Sequence, residues 1–113
     1  MHEKPVTWVG SSHEDLRALP AEVRRELGYD LRQVQRGREP RDGKPMATVG
    51  AGVWEIRVRV AGAFRLFFVA KFAEAVYVLH VFQKKSQQTP RLDLELGRAR
   101  YQAVLRDRSK GGK

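Results

Sequence analysis

The run "VWEIRVRV" (Val53–Val60), followed by "AGAFRLFFV" (Ala61–Val69), alternates apolar and charged residues from Trp54 until it turns. Trp54, Ile56, Val58 and Val60 fall on one face of an extended chain, and Glu55, Arg57 and Arg59 on the other, which is the period of a strand. Ala61–Ala63 predicts a three-residue hairpin loop, with Gly62 free to take positive φ. In that register Val60 pairs with Phe64, Arg59 faces Arg65, and Arg57 faces Phe67. Phe64, Leu66 and Phe68 then join the Trp54/Ile56 side, while Arg57, Arg59 and Arg65 share the opposite side. A two-residue loop would slip the register and set charge among packed aromatics, which is costly.

On the C-terminal side, "VYVLHVFQKK" (Val76–Lys85) begins as one of the most apolar runs in the chain and ends in paired lysines. A turn around Ala73–Glu74 precedes it. Tyr77, Leu79 and Val81 alternate with Val78, His80 and Phe82, so one set is expected under the helices and the other on the arginine side. "TPRLDLELGRARYQAVLRDR" (Thr89–Arg108) predicts a final helix. Thr89 is an N-cap candidate and Pro90 suits the first helical position. Asp93 and Glu95 near the start, and Arg106 and Arg108 near the end, follow the order that the helix dipole favours. Leu92, Leu96, Ala99 and Ala103 make an apolar stripe. "SKGGK" (Ser109–Lys113) reads as a disordered basic tail.

On the N-terminal side, "PVTWVG" (Pro5–Gly10) is a short β-prone segment closed by glycine. Ser11 or Ser12 can cap a helix with Glu14 and Asp15 in its first turn. Val23, Leu27, Leu31 and Val34 then recur on one helical face, and Gly37 is a plausible stop. Pro20 makes this region two consecutive helices or one broken helix. Arg38–Pro45 is a polar, turn-rich connection. The order is therefore strand, helix pair, sheet, helix. It predicts a single small α+β domain over residues 1–108, with an antiparallel sheet of about four to five strands. The N-terminal helix pair and the C-terminal helix are expected on one sheet face. The other would carry Arg57, Arg59, Arg65, His80 and the lysine end.

The net charge of +9 is unevenly placed. Residues 1–45 hold 9 Lys/Arg against 8 Asp/Glu, whereas residues 46–113 hold 13 against 5. A polyanion, most simply nucleic acid, is the partner such a field fits. An acidic protein partner, or charge that only aids solubility, are the other readings. Cysteine is absent, so disulfides and thiolate chemistry are excluded, in keeping with a reducing cytoplasm. "MHEKPVTW" lacks the apolar core of a signal peptide. The longest apolar region, Ala63–Phe82, contains Arg65, Lys71, Glu74 and His80, whereas a membrane span needs about 20 nearly uncharged residues.

No metal site is expected, because His2, His13 and His80 have no ligand-like spacing. "GAGVW" (Gly50–Trp54) leads into a strand rather than a helix, so it is not a phosphate loop. A cluster of cations and one imidazole on a sheet remains. RNA phosphodiesters break without metal when the ribose 2′-OH attacks phosphorus, a base takes its proton, an acid protonates the 5′-oxygen, and cations stabilise the transition state. Arg57 and Arg65 suit the last role, since a guanidinium matches a phosphate in geometry. Lys84 and Lys85 suit phosphate holding or, with a lowered pKa, proton transfer. His80 titrates in the range for either proton role, and Phe82 can stack on a base. Each also has an ordinary reading as solvated strand face, packed histidine or core aromatic. The residue patterns alone reach a basic, nucleic-acid-directed domain and not an enzyme.

In sequence order, Gly52–Arg57, Phe64–Arg65, and His80–Lys85 with Thr89–Pro90 resemble the motifs of the HigB-like branch of the RelE/ParE toxin superfamily. "VTWVGSSHEDLRALPAEVRRELGYDL" is similar to that family's first strand and helix pair, so the resemblance spans nearly the whole chain. It implies a RelE-like fold and a phage-derived type II toxin. The implied activity is metal-independent cleavage of mRNA on the ribosome, which inhibits translation in the cytoplasm. The implied partners are a cognate antitoxin of helix-turn-helix type, the ribosome and mRNA, with no small-molecule cofactor and no membrane. Carried over residue by residue, Arg57 and Arg65 match the family's strand arginines, Phe82 and Lys84 its Phe-x-Lys strand end, and Lys85 its second lysine. With His80 and Arg59 added from the residue patterns, Arg57, Arg65, His80 and Lys84 are the catalytic candidates, and Arg59, Phe82 and Lys85 the RNA-binding ones. Phe68 stands where many relatives have tyrosine, and Tyr101 lies mid-helix rather than at the C-terminal position of the RelE-branch catalytic tyrosine. Alternative readings are a ParE-like inhibitor of DNA gyrase that cuts no RNA, and a non-catalytic RNA- or DNA-binding module.

Overall fold

A computed structural model describes residues 3–111. Strand β1 (Val6–Trp8) leads into α1 (Ser12–Arg17) and α2 (Ala21–Gln35). Then come β2 (Gly43–Pro45), β3 (Val53–Arg59), β4 (Ala63–Val69), β5 (Val76–Lys84) and α3 (Arg91–Gly111). The class is α+β as expected. The five strands form one sheet in the order β1-β5-β4-β3-β2.

That sheet is mixed, not wholly antiparallel, because β1 runs parallel to β5 with Val6 opposite Val76. A three-residue strand carries too short a pattern to reveal its partner or direction. The end of the expected polar connection also becomes a strand, β2, pairing with β3 through Lys44 opposite Glu55 and Pro45 opposite Trp54. Pro45 lacks an N–H, and an edge strand is where a sheet tolerates that.

Pro20, in an extended conformation, separates the two helices. The α2 stripe Val23, Leu27, Leu31 and Val34 is buried, against Ile56, Val58, Leu66 and Phe68. Gly37 ends the helix at φ 83°. There its N–H donates to the Val34 carbonyl and that of Arg38 to the Gln33 carbonyl, a two-bond glycine cap. The β3–β4 loop has three residues, but they are Val60–Gly62, one place earlier than expected. Ala61 and Gly62 both take positive φ, at 56° and 129°. Arg59 therefore pairs with Ala63, Arg57 with Arg65, and Glu55 with Phe67. The shift preserves which side each residue faces, so the arginines stay together.

Two expectations are corrected on the arginine side. First, β5 does not alternate throughout. A bulge lies opposite the Phe67/Phe68 step, where His80 pairs with Phe67 and Val78 with Phe68, leaving Leu79 unpaired. An extra residue inverts the facing of all that follows. Tyr77 and Leu79 thus share a side with His80, Phe82 and Lys84, while Val76, Val78 and Val81 pack under α2. The freed Leu79 carbonyl accepts a hydrogen bond from Arg100 Nη1 at 3.0 Å, and Arg100 Nη2 donates to Ser11 Oγ at 2.9 Å.

Second, the helices do not all cover one face. α3 crosses the arginine side, burying Tyr101 and Val104 against Val49, Val53, Phe67, Val69 and Leu79. Its buried stripe is Gly97, Tyr101 and Val104, with Leu94 half-buried, and not Leu92, Leu96, Ala99 and Ala103. Leu92 and Leu96 are 78% and 39% exposed. The Pro90 carbonyl accepts from the amides of Asp93 and Leu94, so Pro90 precedes the first helical residue. The helix continues through Ser109–Gly111, part of the expected tail, whose last two residues lie outside the described chain. No described helix is long and apolar enough to cross a membrane.

α3 lies close to the sheet at Gly97. A Cβ there would meet Phe67 Cδ2 at 2.9 Å and Val49 Cγ1 at 3.1 Å. Overpacking a filled core typically costs about 1–3 kcal/mol. Gly97→Ala should lose stability in that range despite alanine's higher helix propensity, read as a lower denaturant midpoint at unchanged m-value.

Candidate functional site

Three cross-strand rows on the arginine side assemble the candidate residues. One runs Lys44–Glu55–Phe67–His80, the next pairs Arg57, Arg65 and Phe82, and the third Arg59, Ala63 and Lys84. Strand pairing alone thus brings together Arg57, Arg59, Arg65, His80, Phe82 and Lys84. Lys85, just beyond β5, is exposed and follows Lys84 out of this alternation.

The cations differ in accessibility. The Arg57 side chain is 31% exposed and lies 3.8 Å from Glu55 and 4.0 Å from Asp42. Arg59 is exposed. Arg65 is only 3% exposed. Its Nη1 donates to the Phe64 carbonyl, and its Nε lies 3.6 Å from Glu55 Oε1. Lys84 is half-buried, its ammonium donating to the Gln87 carbonyl at 2.5 Å.

His80 and Phe82 sit deeper. His80 Nε2 lies 2.6 Å from Asp93 Oδ1 in the first turn of α3, and its Nδ1 is buried with no partner. The imidazole stacks on Phe82 at 4.8 Å, and Phe82 meets Phe67 edge-on at 5.2 Å. Phe82 is 8% exposed, so its enclosed ring offers a base little surface. The tyrosine question also has a geometric answer. Phe68 packs in the core under α2, so a phenol there would face away from the cations. Tyr101 is buried, and its hydroxyl donates to the Ala51 carbonyl at 2.7 Å.

Glu55 is not among the residues that the sequence pattern picks out. It is 4% exposed, and neither oxygen comes within hydrogen-bonding distance of a guanidinium. Oε1 has no hydrogen-bond partner at all. Burial pushes its pKa up, opposed by Arg65, then Arg57, Lys44 and Lys84. Burial likewise pulls Arg65 down, opposed chiefly by Glu55. The available signal was a lone carboxylate in step with two arginines on one side of β3. Asp93, whose place in the first turn suits the helix dipole, is also the partner of His80.

Among the described residues no three or more His, Asp or Glu side chains gather as a metal site would require. A cleft of about 680 Å³ lies elsewhere, between β1 and the end of α3, lined by Trp8, Tyr77 and Arg108. The chemically dense region is the cationic sheet surface, an arrangement able to bind phosphates and to hold charge in a low-dielectric setting.

A family model described as phage-derived protein Gp49-like (DUF891) matches residues 14–102, from within α1 to the middle of α3, and covers every candidate residue. No curated protein matches the chain.

The Glu55–Arg65 pair yields a stability test. Removing one member of a buried pair strands the other, at a cost of roughly 3 kcal/mol or more. Arg65→Met should destabilise by about that amount, and adding Glu55→Gln should recover much of it, as a double-mutant cycle in denaturant would show.

Proposed function

The chain belongs to the Gp49-like family of phage-derived proteins, a RelE-like toxin family, and we propose that it is a ribosome-dependent mRNA endonuclease of HigB-like type. The observation that supports this most is the row pairing Arg57, Arg65 and Phe82, flanked by Arg59 and Lys84. Two guanidiniums and an ammonium on one rigid sheet suit a phosphodiester whose negative charge grows in the transition state. Cleavage proceeds by attack of the 2′-OH on the adjacent phosphate, with no metal among its requirements. Arg57 and Arg65 stabilise the phosphorane-like state, and Lys84 holds the scissile phosphate or protonates the leaving oxygen. Arg59 and Lys85 bind flanking phosphates. His80 acts through its bond to Asp93, which fixes the start of α3 against β5, and supports Phe82. The cognate partner is an antitoxin, of helix-turn-helix type, and the site of action is the cytoplasmic ribosome.

The decisive experiment is mRNA 5′-end mapping on programmed ribosomes with wild type, Arg57→Ala and Lys84→Ala. Arg57 is a better probe than Arg65, whose removal threatens the fold. Wild type should cut within the ribosome-bound message, and each variant should lose roughly 10²- to 10³-fold in rate, the scale of one lost transition-state donor. Intact message with wild type would overturn the proposal. DNA damage in place of mRNA cuts would instead point to a gyrase-directed toxin.

The exposed cations make a separate prediction. Binding to single-stranded RNA should weaken with salt, and each phosphate contact contributes about 0.7 to the log–log slope. Arg59→Ala and Lys85→Ala should each reduce that slope by about 0.7 in a titration of affinity against salt.

A further inference from the structure

We propose that Glu55 is the catalytic proton acceptor, taking the 2′-hydroxyl proton as the RNA is cut. The inference rests on the endonuclease reading above and identifies the base which that reading leaves unassigned.

The placement of Glu55 is the first ground. A carboxylate beside a phosphate-binding surface repels the ligand, yet this one is buried in the middle of the cations. Arg65 on β4 and Arg57 on its own strand lie at 3.6 and 3.8 Å, with Lys44 opposite on β2 and Lys84 on β5 also acting on its charge. Asp42, beyond Arg57, is the other acid nearby, but its side chain is 57% exposed, and a solvated carboxylate is a weak base.

Its unused acceptor capacity is the second. Salt-bridged carboxylates normally accept two or more close hydrogen bonds, but here Oε1 is buried and accepts none. Burial raises the carboxyl's proton affinity, opposed first by Arg65 and then by Arg57, and a carboxylate of higher proton affinity is the stronger base while it stays ionised. A phosphate that draws the Arg57 guanidinium away from Oε2 removes part of the charge that keeps Glu55 ionised. Proton uptake then becomes more favourable with substrate in place.

The other titratable groups on this side are committed. His80 Nε2 is held by Asp93, and its Nδ1 is enclosed. The Tyr101 hydroxyl is held by Ala51. The Lys84 ammonium is a donor, which fits it for the opposite task.

The step balances without a further reactant. Drawing Arg57 towards the phosphate uncovers the Glu55 carboxylate, which is 4% exposed in the free protein. The 2′-O–H bond then breaks and its proton passes to that carboxylate. The freed electron pair forms the 2′-O–P bond as the P–O5′ bond breaks. The 5′-oxygen leaves with that bond's pair and takes a proton from the Lys84 ammonium. The products are a 2′,3′-cyclic phosphate and a 5′-hydroxyl end.

The test is cleavage on programmed ribosomes, by single turnover and at steady state, from acid to alkaline pH, with wild type and Glu55→Gln. Wild-type rate should rise about tenfold per pH unit on the acid limb, where the base is still protonated. Glu55→Gln should lower kcat roughly 10²- to 10⁴-fold and abolish that limb, with KM unchanged or lower because a negative charge near the phosphate is gone. A retained acid limb, or an effect on KM alone, overturns the proposal and leaves Glu55 as a prop for the arginines. Circular dichroism checks the fold. Should Glu55→Gln not fold, Glu55→Asp must keep the acid limb at a lowered plateau, and a wild-type plateau overturns the proposal. Wild type that cuts no message overturns the endonuclease reading itself. Wild type and Glu55→Gln that cut equally overturn only the assignment of Glu55.

Discussion

The bulge at Leu79 is the constraint on which the arrangement of the arginine side depends. β5 serves two structures on one face: Tyr77 and Leu79 at the α3 contact, and His80, Phe82 and Lys84 towards the cations. Strict alternation cannot supply both. With Leu79 facing α3, it would turn His80, Phe82 and Lys84 towards α2 and bury a lysine against Val58 and Phe64. One inserted residue removes the conflict. Its cost is an unpaired backbone carbonyl, which Arg100 satisfies from α3 while reaching Ser11 at the start of α1. One side chain therefore ties helix, bulged strand and first helix together.

α3 shows how the two faces divide. It crosses from Asp93, bonded to His80, past Gly97 over Phe67, to Arg108, whose Nε donates to Glu74 at 2.6 Å. Glu74 also accepts from the Tyr77 hydroxyl, and the Arg108 bond, then the Tyr77 bond, hold its pKa down to about 2. The helix is thus fastened at both ends. The rows of Arg57 and Arg59 lie to one side of this path, where the sheet surface is polar. Burial and cation display are neighbouring uses of the same strands.

Much of this was legible because it follows from short-range pattern. The alternation through Val53–Arg59 specified which side the arginines take, and it survived a loop displaced by one residue, since the resulting register change is even. The α2 stripe and the Gly37 stop follow from helical spacing and from the backbone freedom of glycine. The bulge was not legible, because Val76–Phe82 is apolar on both faces apart from His80, and its alternation carries little contrast to break. The α3 contact departs from the apolar stripe Leu92, Leu96, Ala99 and Ala103 for a related reason. Its contact is made by Gly97 and Tyr101, a small residue permitting close approach and an aromatic with a polar tip, while the more hydrophobic Leu92 and Leu96 stay outside. In the candidate site, the cations were found because charge on a strand is conspicuous. Glu55 was hidden because a carboxylate between arginines looks like ordinary surface balance, and only burial distinguishes the two cases.

Burial also divides the work among the charges. Arg59 and Lys85 are exposed, and charges in that position act at range, are screened by salt, and serve encounter and affinity. Arg65 and Glu55 are almost wholly removed from water. Screening reaches them little, and their interactions change most when a ligand or proton arrives. A buried pair 3.6 Å apart, with an acceptor left open, is a poor device for stability, because closer bonding would repay desolvation better. Its geometry makes more sense as a site held short of full pairing. The guanidinium keeps capacity for a phosphate, and the carboxylate keeps capacity for a proton. Arg57, half in solvent between them and the surface, is the residue through which an arriving phosphate would first alter that balance.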